Sequence, residues 1–267
     1  MRLKALLPGP LAQTLRAIYY PGFRALLRVR CRYADLRHPN PELPPALLRY
    51  RVGESTDPSR FLAIGEHIAQ DIQAALLRAG RPLAGIASIL DFGCGCGRTL
   101  RWLIPQFPNA RFCGADVDSD AIAWCQAHLP AAEWHVNSPL PPLPFPSQTF
   151  DLVCAISVFT HLPASLQNLW LPELARILRP GGVLLATLHG ERVASHLNPA
   201  AGRRLRSEGF LFQRSAKLRG ILPEWYHTAF HTREYACSQV GAHLRVLVYI
   251  PGGMGDQDVI VAEALTN

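Results

Sequence analysis

Residues 89–99 read ILDFGCGCGRT, and this stretch predicts the fold around it. A short apolar strand passes into a turn with glycine at alternate positions, and a helix is predicted over residues 99–107. Because glycine has no Cβ, a ligand can lie directly against the backbone of such a turn. A dinucleotide-binding turn has the spacing Gly-x-Gly-x-x-Gly, but Gly97 comes one residue early and Arg98 stands in its place. Asp91 would repel a pyrophosphate and suits a cationic ligand, so a dinucleotide-dependent dehydrogenase is disfavoured.

The second informative position is Asp116, which ends a predicted strand over residues 111–116 and follows Gly93 by 23 residues. In doubly wound sheets an acidic residue at the end of the second strand binds the ribose hydroxyls of a nucleoside. The pattern therefore predicts that Asp116 binds ribose. The alternative is that it caps the helix predicted over 119–128, which is the favoured interpretation for Asp118 and Asp120.

Two further motifs follow in order. Residues 150–163 read FDLVCAISVFTHLP, a fourth strand and the loop after it, and residues 176–188 read RILRPGGVLLATL. Proline and glycine end the helix of the second motif and turn the chain back into the sheet. Together with the glycine turn and Asp116, these motifs cover residues 88–188. Their order and spacing resemble the class I S-adenosylmethionine-dependent methyltransferases.

This resemblance implies S-adenosylmethionine as cofactor. It places Val117 along the adenine face, Asn137 and Ser138 at the adenine edge, and the stretch just beyond the fourth strand, 158–163, near the transferred methyl group. The full set of predicted cofactor residues is Asp91, Gly93, Cys94, Gly95, Gly97, Asp116, Val117, Asn137, Ser138 and Ser157.

Strands and helices alternate along the chain, which indicates a parallel sheet with right-handed crossovers. Strands are predicted at 88–92, 111–116, 132–137, 151–157 and 183–188, and helices at 61–79, 99–107, 119–128 and 165–178. Two late strands, 245–250 and 257–264, suit the antiparallel hairpin that the family adds at the sheet edge. The predicted fold is α/β, a doubly wound, mostly parallel seven-stranded sheet with helices on both faces. Residues 190–235 are predicted to be an irregular insertion on the acceptor side of a methyltransferase domain that spans 53–267.

Charge is concentrated in residues 1–52, a predicted basic helical arm closed by a proline-rich hinge at 39–45. This segment has ten basic and two acidic residues, a net charge of +8. The whole chain has a net charge of +7, so residues 53–267 sum to −1. Apolar residues are interspersed: Leu11, Leu15, Ile18, Tyr19, Phe23, Leu26 and Leu27. Such a segment can lie on an anionic membrane or contact a partner, or it can pack on its own domain. Nucleic acid is disfavoured because aromatic residues do not alternate with the charges.

Three histidines are candidate catalytic bases. Transfer from a sulfonium requires in-line positioning, and a base is needed in addition when the acceptor is a hydroxyl. His161 and His189 follow the fourth and fifth strands, at the sheet edge where ligands bind, and His231 ends a predicted lid over residues 225–231. Each has a structural alternative, and for His161 it is a hydrogen bond to the backbone that shapes the pocket.

The seven cysteines show no secreted disulfide pattern, so a cytoplasmic location is expected. No metal site is predicted, because Cys94 and Cys96 lack a second ligand pair. No apolar run approaches the roughly 20 residues of a membrane-spanning helix, and the N-terminus lacks the features of a signal peptide.

The sequence therefore predicts a methyltransferase for a small-molecule, sugar-linked or lipid-linked acceptor, with peripheral membrane contact through the arm as one option. A non-catalytic cofactor-binding subunit that recruits a partner through the arm is the alternative. Convergent polar groups at the opening through which the acceptor enters would favour the enzyme. A closed or apolar opening would favour the binding subunit.

Overall fold

The computed structural model describes residues 9–37, 39–214, 221 and 226–265, with the backbone alone for residues 9–20. The arm side chains Leu11, Leu15, Ile18 and Tyr19, and Trp225 of the predicted lid, lie outside the described residues. The helices are α1 (Gly9–Arg37), α2 (Ala46–Gly53), α3 (Pro58–Arg78), α4 (Leu100–Leu103), α5 (Ser119–His128), α6 (Ala164–Ile177), α7 (Glu191–Ala194), α8 (Pro199–Glu208) and α9 (Arg233–Gly241). The strands are β1 (Ser88–Phe92), β2 (Arg111–Asp116), β3 (Glu133–Val136), β4 (Phe150–Ala155), β5 (Leu178–Leu188), β6 (Phe210–Gln213), β7 (Thr228–His231), β8 (Arg245–Met254) and β9 (Gln257–Glu263).

Seven strands form one sheet in the order β3-β2-β1-β4-β5-β9-β8. The first five are parallel, and β9 runs antiparallel to both β5 and β8. The predicted α/β fold and its C-terminal hairpin are confirmed. Neighbouring residues of a strand point to opposite faces, and Ile89 and Leu90 accordingly join two different buried clusters. All five residues of β1 are buried, as expected for a parallel strand with helices on both faces.

Helix α3 covers one face of this sheet. Its apolar residues recur at helical spacing, and Phe61, Ile68, Ile72 and Leu76 are all buried. The side chain of Asp57 accepts a hydrogen bond from the Ser59 N–H and caps the first turn. The predicted helix over 61–79 is therefore present and starts three residues earlier.

The prediction that residues 190–235 are irregular is wrong. They contain α7, α8, and a two-stranded antiparallel sheet in which Phe210 pairs with His231 and Gln213 with Thr228. Each of these strands is only four residues long, too short for an alternating pattern to stand out. Their pairing joins segments separated by 14 residues, which a local pattern does not reveal.

Several predicted boundaries are also wrong, including that of the strand over 245–250, which extends to Met254. The helix over 99–107 is a four-residue α4 followed by a 3₁₀ turn over Ile104–Gln106, because Pro105 has no N–H to continue an α-helix. The fourth strand ends at Ala155 rather than at residue 157, since Ser157 adopts a left-handed backbone with φ of 58°. The fifth strand begins at Leu178, which pairs with Phe150 ahead of a bulge.

The N-terminal helices pack on one another. Leu27 and Cys31 of α1 are buried against Ala46 of α2 and against Ile221. The Asp35 side chain accepts a hydrogen bond from the N–H of Ala46, the first residue of α2, and so adds a polar contact between the two helices. The division of the chain at residue 52 stays a prediction. Within the described ranges, none of the helices has both the length and the apolar character that crossing a bilayer requires.

Candidate cofactor and acceptor site

A cavity of about 380 Å³ lies at the carboxyl ends of β1, β2 and β4. This is the edge at which open α/β sheets bind ligands, and the volume is in the range of small-molecule sites. Eight of the predicted cofactor residues line the cavity: Asp91, Gly93, Cys94, Gly95, Asp116, Val117, Asn137 and Ser157. Gly97 and Ser138 are not among the lining residues. The roles of all ten residues toward the cofactor stay predictions.

The glycine turn is built from left-handed backbone. Gly93, Gly95 and Gly97 have φ of 80°, 53° and 70°, a region that residues with a side chain rarely adopt. Packing imposes a second requirement, because a Cβ on Gly93 would lie 2.4 Å from the Val158 side chain and one on Gly95 would lie 2.4 Å from Val52 Cγ1. At Gly95 the side chain would therefore collide first with the protein.

Asp116 ties the end of β2 to this turn. One of its carboxylate oxygens accepts a hydrogen bond from the Gly95 N–H at 2.7 Å, and the other accepts one from the Asp118 N–H at 2.8 Å. Burial raises the pKa of Asp116. Capping of α5 is performed by Asp118, whose side chain accepts hydrogen bonds from the Asp120 and Ala121 N–H groups. The cap predicted for Asp118 is thus confirmed, whereas Asp120 lies in the first turn of the helix.

Asp91 is a buried carboxyl group on the same side of the cavity, with 2% of its surface exposed. Burial, and secondarily the charge of Asp116, raises its pKa from 3.8 to about 7, and Arg98 partly opposes that rise. The buried Asp91 and the half-buried Asp116 together favour a ligand with positive charge.

Asn137 presents a buried amide oxygen without a partner. Its Nδ2 donates to the Ser138 carbonyl at 2.7 Å, but Oδ1 has no hydrogen-bond donor among the described residues. A buried acceptor left unpaired costs about 1–3 kcal/mol, so this position suits a ligand that carries an N–H donor.

Ser157 stands where β4 leaves the sheet. Its N–H donates to Thr187 Oγ1 at 2.7 Å, and its hydroxyl exchanges hydrogen bonds with Gln257. These contacts to β5 and β9 hold its left-handed backbone at the cavity wall.

Of the three candidate histidines, the described structure brings His161 into the cavity lining. Its Nδ1 donates to the His227 carbonyl at 2.7 Å. Nε2 then carries no hydrogen, so it accepts a hydrogen bond from the Tyr226 hydroxyl at 2.7 Å. Burial lowers the pKa of His161 to about 4, so the ring is neutral at neutral pH. The backbone hydrogen bond foreseen as its structural alternative is present.

His189 and His231 do not line the cavity. His189 donates from Nδ1 to the Ala229 carbonyl, and its ring centre lies 6.0 Å from that of His161. His231 is 1% exposed and contacts the Gln167 side-chain amide. Burial lowers the pKa of both, for His231 to about 3. Gln167 also donates to the Phe159 and Leu162 carbonyls, so His231 supports the loop that carries His161. Which of the three acts as a base, if any, stays a prediction.

Tyr226, from the segment predicted to be a lid, lines the cavity, whereas two further lining residues from α2, Arg51 and Val52, were missed by the sequence analysis. Arg51 Nη1 pairs with both oxygens of Asp118, at 2.8 and 2.9 Å, and the Val52 carbonyl accepts a hydrogen bond from Arg98. No local signal marks these residues, because they meet the glycine turn only in the folded chain.

The cysteines of the turn lie in surroundings that disfavour metal binding. Burial raises the pKa of Cys96 to about 12 and that of Cys94 well above its usual value, which disfavours the thiolate that metals bind. Elsewhere in the described part of the chain, Cys113, Glu133 and His135 lie close enough to share an ion. There, Arg111 already holds both carboxylate oxygens of Glu133, at 2.8 and 2.7 Å.

Comparison with known proteins agrees with the fold and the motifs. Residues 89–182 match the family model described as "Methyltransferase domain". The chain is 34% identical over 130 residues to a trans-aconitate 2-methyltransferase of Azoarcus sp. (strain BH72), a match that covers 48% of each protein. It is 37% identical over 100 residues to a fatty-acid O-methyltransferase of Mycolicibacterium smegmatis, which covers 37% of this chain and 36% of that protein. The chain thus spans at most about half the length of these relatives.

Among solved structures, a SAM-dependent methyltransferase of Methanosarcina mazei superimposes with a TM-score of 0.53 at 21% identity and covers 67% of this chain and 93% of that one. At this identity the likeness shows the fold. The chain has the class I fold of S-adenosylmethionine-dependent methyltransferases. Residues 89–182 are thus similar to the methyltransferase domain of that family model, which agrees with the resemblance indicated by the motifs.

Proposed function

We propose that the protein binds S-adenosylmethionine in this cavity and catalyses transfer of its methyl group to a carboxylate oxygen of an organic acid. The observation that carries the cofactor assignment is Asp91, a buried carboxyl group at the cavity wall whose pKa burial raises to about 7. A cationic ligand beside it would favour the ionised form.

The other cavity residues fit the same cofactor. Asp116 offers carboxylate oxygens that can accept from ribose hydroxyls, Val117 offers an apolar surface, and the unpartnered Asn137 Oδ1 suits an amino group on a base. When bound, S-adenosylmethionine supplies a methyl group on a sulfonium, which is already activated for transfer. The protein's task is then to hold the acceptor in line and to exclude water.

The acceptor class is inferred from the relatives and from His161. Trans-aconitate and fatty acids, after which the two relatives are named, are both carboxylic acids. A carboxylate is ionised at neutral pH, so its oxygen attacks without a base. With a pKa of about 4 and Nε2 already accepting from Tyr226, His161 is a weak base. Arg98 at the cavity wall offers a cation for an acid.

A hydroxyl of a sugar-linked or lipid-linked acceptor is the second candidate, and it requires His161 to take the proton. A binding subunit without turnover is disfavoured, because His161, Tyr226 and Arg98 bring polar groups together in the same cavity.

We also propose that the reaction takes place in the cytoplasm, against a membrane that the N-terminal helix contacts. Free cysteines support the first part: all seven are unpaired, as expected in a reducing compartment.

The test is a screen with methyl-labelled S-adenosylmethionine against dicarboxylic, tricarboxylic and fatty acids, with the matching alcohols as controls. We expect label on acids, released by mild alkali because methyl esters hydrolyse, and a rate that changes little between pH 5 and 8. His161→Gln should then lower kcat less than about 10-fold, against about 10²–10⁴-fold for a general base. Alkali-stable label on alcohols would establish the hydroxyl candidate, and cofactor binding without any transfer would establish the binding subunit.

A further inference from the structure

The outer face of α1 carries four large apolar side chains in solvent. Leu26, Val29, Tyr33 and Leu36 are 67%, 63%, 55% and 81% exposed. Their spacing of three, four and three residues puts them in one stripe about 80° wide, since successive residues of a helix are about 100° apart. We call this the outer stripe.

The opposite face of the helix makes the intramolecular contacts. Leu27 and Cys31 are 5% and 2% exposed and pack against α2, and they lie about 160° around the helix from the outer stripe. The outer stripe is thus not needed to hold α1 on the protein.

Only positive charges border the outer stripe within the described part of α1. Arg30 and Arg37 lie along one side and Arg32 along the other, and all three are exposed. Arg37 Nε donates to the Tyr33 hydroxyl at 2.6 Å, with its guanidinium over the ring. Asp35, the acidic residue of this helix, points to α2 and bonds the Ala46 N–H.

We propose that the outer stripe and its three arginines bind the surface of an anionic lipid bilayer. An apolar stripe between basic borders is the form of a helix that lies in the headgroup region, with its apolar side chains at the acyl boundary. Tyrosine also favours this interface. The proposal gives the membrane contact of the proposed function its surface and lipid class and rests on that part of it, but it does not depend on methyl transfer.

The charge beside the outer stripe favours a lipid bilayer over a second copy of the chain as its binding partner. Two outer stripes packed together would bring arginine borders close to arginine borders, and like charges there repel. Anionic headgroups instead attract each arginine. Helix α2 connects this surface to the cavity, because its Ala46 packs on α1 and its Val52 lines the cavity.

The experiment is co-sedimentation of the full chain with vesicles of phosphatidylcholine alone or with phosphatidylglycerol added. We expect binding to the anionic vesicles only, and release between 0.1 and 1 M salt, as the Debye length falls from about 10 to about 3 Å. The triple variant Arg30→Gln, Arg32→Gln, Arg37→Gln should bind on the order of 100-fold more weakly, about fivefold per arginine. The double variant Leu26→Gln, Leu36→Gln removes two of the apolar side chains of the outer stripe and should abolish binding.

Matched controls remove the same groups elsewhere. Arg78, Arg203 and Arg206 are exposed on α3 and α8, and their joint change to Gln should leave binding within about threefold, as should Leu77→Gln. An equal loss in the control triple would overturn the proposal in favour of general charge attraction. Light scattering that shows the Leu26 and Leu36 changes splitting a dimer, with vesicle binding intact, would overturn it in favour of a second copy.

Calorimetry with S-adenosylhomocysteine on each variant shows whether the fold is kept. Methylated acids without vesicle binding would end this inference and leave the proposed reaction standing. Vesicle binding without any methyl transfer would leave this inference standing and end the proposed reaction.

Discussion

The two walls of the cavity are built in different ways. The floor consists of Asp91, the glycine turn 93–97 and Asp116, and it comes from 26 consecutive residues of the chain. The roof consists of Val52, His161 and Tyr226, which span 175 residues. The floor depends on backbone conformation and on strand ends, which short motifs specify. The roof depends on contacts between distant segments. The floor is therefore predictable from a short stretch of sequence, and the roof is not.

The walls also differ in charge. The floor holds the buried Asp91 and the half-buried Asp116, two carboxyl groups whose pKa values are raised by desolvation, whereas burial keeps His161 of the roof neutral at neutral pH. This contrast suits a cationic cofactor against the floor and an acceptor that needs no base against the roof. Four predictions test it, and they are ordered from the largest expected effect.

Gly95→Ala tests the contact between floor and roof. The substitution places a Cβ 2.4 Å from Val52 Cγ1 at a φ of 53°, and we expect calorimetry with S-adenosylhomocysteine to detect no binding. Gly255→Ala is the matched control, since its φ is 58° and nothing lies within 4 Å. Adding Val52→Ala should restore part of the affinity. An equal loss in both single variants would mean that backbone strain alone is responsible.

Asp91→Asn tests the electrostatics of the floor in the cofactor-free protein. The folded carboxyl has a pKa of about 7 against 3.8 without the fold, so the folded state binds the proton more tightly. Stability is therefore lost as pH rises from about 4 to about 7, by about 4 kcal/mol in full. The variant should be more stable than wild type in urea unfolding at pH 8, with a much smaller difference at pH 5. A pH-independent difference would contradict this assignment.

Asp116→Ala tests the predicted ribose contact. Loss of charged hydrogen bonds should cost about 1.5–3 kcal/mol, or roughly 10–150-fold in affinity for S-adenosylhomocysteine. Asp116→Asn keeps one oxygen acceptor and should lose less. Unchanged affinity in the alanine variant would remove Asp116 from the cofactor site.

Tyr226→Phe tests the roof alone. It removes the hydroxyl that donates to His161 Nε2 at 2.7 Å, worth about 0.5–1.5 kcal/mol. We expect cofactor affinity within twofold of wild type and kcat/KM for the best acid lowered about 2- to 10-fold. A loss of cofactor affinity as large as that of Asp116→Ala would show that the roof binds the cofactor, and the division into two walls would fail.

The sequence alone determined the sheet and the edge of the sheet at which the cavity lies. Glycines at alternate positions, an acid at the end of β2 and the proline and glycines before Val183 are local requirements of backbone geometry. They predicted the mostly parallel sheet with its C-terminal hairpin and eight of the cavity residues. Helix α3 was equally readable, because its burial follows from a 3.6-residue period.

The tertiary structure alone decided the rest. His161 and His231 are both candidate catalytic bases in the sequence, yet His161 lines the cavity and His231 is buried against Gln167. The sheet of β6 and β7 and the approach of Arg51 to Asp118 join segments with no local pattern in common. The outer stripe of α1 stands out only once the opposite face is seen to pack on α2. The physical reason is the same throughout: backbone conformation follows from neighbouring residues, whereas burial, pKa and side-chain partners depend on what the fold brings near.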